Sequence, residues 1–67
     1  MKSENSILEL VEVFVQIGRQ HRAAKVPKMG RDFVIAELGD EILDMDEASR
    51  EETIQIMLDA YNSGYSG

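Results

Sequence analysis

Residues 6–25 have the periodicity of one long helix, and this helix is apolar on nearly every side. Four of its polar positions are three or four residues apart and therefore occupy one narrow stripe of the helix surface. They are Glu9, Glu12, Gln16 and Arg19. In a chain of 67 residues, only two shorter segments remain to cover the other sides. We therefore expect part of this helix to contact a partner.

The whole pattern predicts an all-α fold in one small domain, residues 1–67. A long N-terminal helix is expected at about 6–25, with two shorter helices at about 32–44 and 47–62. From about residue 63 we expect a flexible C-terminal tail. A domain this small is only marginally stable alone, which favours assembly as a homodimer.

The ends of the first helix follow from local chemistry. Asn5 or Ser6 is a suitable N-cap, because either side chain accepts a hydrogen bond from a free backbone N–H group. The helix must end near Lys25, because Pro27 restricts Val26 to extended geometry.

The second helix has Asp32 as its predicted N-cap. Its apolar face comprises Val34, Ile35, Leu38 and Ile42. Gly39 weakens this helix, and we expect it to permit close packing against the first helix. A strand at 32–36 is the alternative, but the segment does not alternate and has no predicted partner strand.

Two N-caps compete for the third helix, Asp46 and the capping box of Ser49 with Glu52, and we prefer Asp46. Apolar residues follow it at helical spacing. The run Asn62 to Gly64 is a natural stop.

Composition excludes several classes of protein. The absence of cysteine rules out disulfides and thiolate metal sites. No signal peptide or membrane-spanning segment is apparent, so we expect a cytoplasmic protein with no membrane contact. The net charge of -6 makes nucleic-acid binding unfavourable, and a recognition helix at 47–62 would present acids to the phosphates.

No catalytic, cofactor or metal residue is predicted, and so neither an enzyme nor a small-molecule substrate. A calcium loop starting at Asp44 would place Ala48 at its fifth position and Ser49 where glycine is needed, so the motif fails. His21 is the only histidine and has no second histidine for a zinc site. The glycines are dispersed and form no phosphate loop.

Five of the seven basic residues recur at every third position. They are Arg19, Arg22, Lys25, Lys28 and Arg31. In one interpretation they offset the carbonyl dipole at the end of the first helix or lie solvated in the following loop. In the other they form a positive ridge that docks an acidic partner, such as the acidic half of a sister subunit.

The first helix divides into two apolar faces. The face expected to hold the fold comprises Ile7, Val11, Phe14 and Val15, and the face expected to meet a partner or a dimer mate comprises Leu10, Val13, Ile17 and Ala24. Burying the three large residues of the second face is worth roughly 1.5–3 kcal/mol each. The alternative is that the other two helices wrap both sides of the first helix within one subunit.

These observations favour a small, acidic, non-catalytic regulatory or inhibitory protein, of a kind encoded by phages and bacteria, that binds a larger protein through a helical face. One alternative is a nucleic-acid mimic whose acids imitate phosphates and block a DNA-binding protein. Another is a weak nucleic-acid-binding dimer that uses the basic segment Arg19 to Arg31.

Overall fold

The computed structural model describes residues 3–67, with side chains from Ile7 onward. It contains α1 (Ser3–Ala23), α2 (Arg31–Leu38), a 3-10 turn (Gly39–Ile42) and α3 (Glu47–Ser66). No strand occurs in this part of the chain. The predicted all-α fold with three helices is therefore confirmed, and the strand considered at 32–36 is instead part of α2.

Both predicted ends of the first helix are wrong by two or three residues. The helix already includes Asn5 and Ser6, whose side chains lie outside the described part, so neither is its N-cap. It ends at Ala23 because Lys25 takes a left-handed conformation, with φ of 61°. The Lys25 N–H group donates to Arg22 O at 3.1 Å and the Val26 N–H group to His21 O at 2.8 Å. This pair of hydrogen bonds is a Schellman motif, which closes the end of a helix.

The predicted second helix is divided into α2 and the 3-10 turn. Its N-cap is Gly30 and not the predicted Asp32, which is the second residue of α2 and lies inside the first turn. The division occurs at Gly39, whose φ of 50° favours glycine. A Cβ atom there would meet nothing within 4 Å, so the prediction that Gly39 permits close helix packing is wrong.

The third helix begins as predicted, with Asp46 as its N-cap. The Ser49 hydroxyl group lowers the pKa of the Asp46 carboxyl group below its usual value, and the Asp46 side chain forms no capping hydrogen bond. The predicted stop at residues 62–64 is wrong, because α3 continues to Ser66. Packing of Gly64 and Tyr65 against α1 and its following loop outweighs the weak helix propensity of this stretch.

The core lies where α1, α2, the 3-10 turn and α3 meet. Its most deeply buried side chains, each less than 2 % exposed, are Phe14, Val34, Leu38, Ile54, Met57 and Tyr61. Of the predicted inner face of α1, Phe14 is buried, and Ile7, Val11 and Val15 pack against the core while partly exposed.

The long helices α1 and α3 approach so closely that their backbones touch. A Cβ atom on Gly18 would overlap the Tyr61 carbonyl oxygen and lie 2.7 Å from the Tyr65 nitrogen, and one on Gly64 would overlap the Val15 carbonyl oxygen. Only glycine fits at either position.

The two long helices run in the same direction. The Arg22 guanidinium group, near the end of α1, donates to the carbonyl oxygens of Tyr65, at 3.0 Å, and Ser66, at the end of α3. Both helices therefore end on the same side of the molecule. The molecule is 34 Å long along its longest axis. The segment containing α2 and the 3-10 turn carries the chain back to the start of α3.

Candidate interaction surfaces

The surface of α1 presents an apolar stripe that the core covers only in part. Leu10, Val13 and Ile17 are three and four residues apart and so lie on one side of the helix. Leu10 and Ile17 pack against the core, whereas 48 % of Val13 is exposed. We call these three residues the α1 ridge.

The fourth predicted contact residue does not belong to this stripe. Ala24 is exposed, but it lies in the turn after α1. The structure also shows a residue that the sequence pattern did not single out, Leu8, which is 65 % exposed. Because it lies five residues before Val13, it is rotated from the ridge by roughly 140° around the helix.

The five predicted basic contact residues separate into two groups. Arg31 forms an ion pair with Glu51, with Nη2 of Arg31 2.5 Å from Oε1 and 2.6 Å from Oε2. The other four lie around the end of α1 and the following loop, and we call them the basic end. They are Arg19, Arg22, Lys25 and Lys28.

Within the basic end, the Arg22 guanidinium group donates hydrogen bonds to the carbonyl groups at the end of α3. Arg22 also lies in the last turn of α1, as one of the two interpretations expects. Lys25 and Lys28 are exposed on the loop that follows α1.

The loop that carries Lys25 and Lys28 is held in place by two tyrosines. The Tyr65 hydroxyl group donates to the carbonyl oxygen of Val26 at 2.7 Å. The buried Tyr61 hydroxyl group accepts a hydrogen bond from the backbone N–H group of Met29 at 2.9 Å and lies 2.9 Å from Nδ1 of His21. The buried Tyr61 hydroxyl group therefore has two hydrogen-bond partners, and the His21 tautomer decides which of Tyr61 and His21 is the donor.

An acidic surface lies at the opposite end of α3. Its residues are all exposed and follow one another through the end of α2, the 3-10 turn and the start of α3. We call the following residues the acidic end: Glu37, Asp40, Glu41, Asp44, Asp46 and Glu47. Among the residues described here, no group of three or more potential ligands is arranged to hold a metal ion.

A shallow apolar groove runs through the acidic end. It is lined by Ile35, Gly39, Asp40, Ile42, Leu43 and Arg50, and we call it the acidic groove. Leu43, predicted as the end of the second helix, lies in the turn after the 3-10 turn and is 68 % exposed. Leu43 directly follows Ile42 and would lie about 100° from it around a helix, outside the predicted apolar face, so its exposure agrees with helical spacing.

No family model, curated protein or solved structure matches this chain. Within residues 3–67, none of the helices has the length and apolar character needed to cross a membrane.

Proposed function

We propose that this protein is a small non-catalytic regulatory or inhibitory protein that docks on a larger protein through the α1 ridge. The main support is that Val13, between Leu10 and Ile17 on a long and firmly packed helix, remains about half exposed. Its effect on the target would be steric or allosteric.

The setting of the ridge favours binding without rearrangement. The backbone contacts at Gly18 and Gly64 fix α1 against α3, so the ridge is presented on a rigid element. Rigid presentation lowers the entropic cost of association. The basic end adjoins the C-terminal side of α1, so a partner covering the ridge and this end would meet apolar and cationic groups together.

A homodimer through the same ridge is the alternative use of this surface. Burial of the remaining half of Val13 contributes roughly 1 kcal/mol per chain. This is small beside the entropic cost of association, about 4–15 kcal/mol. Because the core already covers much of Leu10 and Ile17, a larger partner with a complementary groove is the better occupant.

The nucleic-acid mimic has one supporting observation, the gathering of exposed carboxylates at the acidic end. Direct binding of nucleic acid by the segment Arg19 to Arg31 has less support. Arg22 and Arg31 are engaged within the molecule, which leaves Arg19, Lys25 and Lys28 to meet phosphates.

Substitution at Val13 tests the proposal. Immobilised wild-type protein, Val13→Glu and Leu8→Glu would be compared for capture of proteins from the host lysate, followed by calorimetry with the purified target. Val13→Glu is expected to weaken binding more than tenfold, because it places a carboxylate in an apolar contact. Leu8→Glu makes the same kind of change at an exposed apolar residue rotated by roughly 140° from Val13 and is expected to bind normally.

Two results would count against this assignment. Equal capture by wild type and Val13→Glu would remove the ridge from the interface. A captured DNA-binding protein that is released when Asp40 and Asp44 are changed to asparagine, with no effect of Val13→Glu, would favour the mimic.

A further inference from the structure

The acidic groove has the features of a protein-binding surface and lies apart from the α1 ridge. Leu43, the most exposed large apolar side chain among those described, lies between the exposed acids Asp40, Glu41 and Asp44. An apolar centre with a charged rim is the usual anatomy of a protein interface. The acidic rim selects for a cationic partner surface.

Arg50 also lines the groove. Its Nη2 group donates to Met45 O at 3.2 Å, and this internal hydrogen bond holds the Arg50 side chain against the protein.

The same chain carries a surface with the complementary character. Lys25 and Lys28 project from the loop together with Met29, which is 38 % exposed. The hydrogen bonds that Met29 N–H donates to Tyr61 and that Tyr65 donates to Val26 O fix this loop, so little conformational freedom is lost when it docks.

The two surfaces cannot meet within one molecule. The basic end lies beside the C-terminus of α3, whereas the acidic groove lies near its N-terminus. Along α3, Tyr65, which bonds to the loop, and Arg50, which lines the groove, are about 22 Å apart. Any contact between them must therefore join two copies.

We propose that the acidic groove binds the basic end of a second copy of this chain, so that copies associate head to tail. Such a contact pairs two different surfaces and leaves one of each free at the ends of the assembly. It therefore builds short chains of molecules instead of stopping at a symmetric dimer.

Sedimentation velocity on the full chain tests this. At about 0.5 mM protein in about 0.01 M salt, where the screening length is about 30 Å, the weight-average mass of the wild type is expected to rise with concentration. At about 1 M salt, where the screening length falls to about 3 Å, it should return to that of the monomer. A wild type that stays monomeric at low salt overturns the proposal.

Two blocked variants test the pairing of the surfaces. Lys25→Asn with Lys28→Gln removes the basic partner and keeps a residue that tolerates positive φ at position 25. Leu43→Ser with Asp40→Asn disables the groove. Each variant is expected to associate at least tenfold more weakly than the wild type, and circular dichroism would establish that each is folded.

An equimolar mixture of the two blocked variants gives the decisive result. Each variant retains the surface that the other lacks, so the mixture should form a one-to-one complex that grows no further. Failure of the mixture to associate, or association of either variant alone at wild-type strength, contradicts the head-to-tail contact.

Two single substitutions complete the design. Glu12→Gln removes one negative charge from the exposed side of α1 and should leave association unchanged. Val13→Glu should also associate normally, which separates this contact from the one proposed for the α1 ridge. Loss of association in either variant would place the interface on α1 and overturn the assignment to the groove.

Discussion

Two glycines determine how the long helices meet. Gly18 and Gly64 each replace a side chain with direct backbone contact, to α3 and to α1 respectively. Sequence periodicity places Gly18 in line with Ile7, Val11 and Phe14, on the inward side of the helix. Which backbone would approach it does not follow from that pattern, because the contact joins residues far apart in the chain.

Gly64→Ala is expected to destabilise the protein by about 2 kcal/mol, as an overpacked core substitution does. The new Cβ atom would overlap the Val15 carbonyl oxygen and force the helices apart. Helix propensity alone predicts the opposite, a gain of about 1 kcal/mol. Urea denaturation followed by circular dichroism would measure the change.

Gly30→Ala is the matched control for this substitution. A Cβ atom at Gly30 would meet nothing within 4 Å. Its φ of -110° is accessible to alanine. A change within about 1 kcal/mol is expected, and an equal loss in both variants would show that close packing at Gly64 is unimportant.

At the scale of elements, the sequence predicts the number and type of helices better than their ends. The sequence correctly predicts Asp46 as the N-cap of α3, because an aspartate directly before an apolar helical run is a local signal. The other ends depend on backbone conformations and distant contacts. The end of α1 depends on the left-handed backbone conformation of Lys25, which is usually adopted by glycine. The last turn of α3 depends on the hydrogen bond from Tyr65 to Val26 O, in the loop after α1.

Lys25→Gly is therefore expected to stabilise the protein by about 0.5–1 kcal/mol. Glycine relieves the left-handed strain of about 1–2 kcal/mol. Part of this gain is lost because glycine has more conformational freedom in the unfolded chain. Thermal unfolding would register this as a higher Tm. Lys28→Gly, in the same loop at a position without positive φ, should lower the Tm, and a rise in both would point to charge removal as the cause.

At the scale of the whole molecule, the sequence predicts that α1 has more apolar surface than the core of so small a domain can bury. The structure shows how much of that apolar surface is covered. The core covers most of Leu10 and Ile17, which leaves Val13 and Leu8 as the exposed large apolar residues of α1. The groove around Leu43 could not be foreseen, because it depends on the change of chain direction after Gly39.

Removal of residues 63–67 is expected to destabilise the whole domain by about 2–4 kcal/mol, through loss of Tyr65 packing and its hydrogen bond to Val26. For a chain of this size, that approaches the total stability, about 3–10 kcal/mol. Calorimetry would show a much lower Tm or no cooperative transition. Removal of Gly67 alone should have little effect, and an unchanged Tm after the longer deletion would mean that the last turn of α3 contributes nothing.

The parallel course of α1 and α3 also affects how the protein is made. Gly18 and Gly64 are 46 residues apart in the chain, so α1 cannot reach its final packing until nearly all of that sequence has left the ribosome. At 5–20 residues per second, synthesis of the intervening segment takes about 2–9 s. During that interval the apolar sides of α1 are open to chaperones, which makes the order of synthesis itself a constraint on this fold.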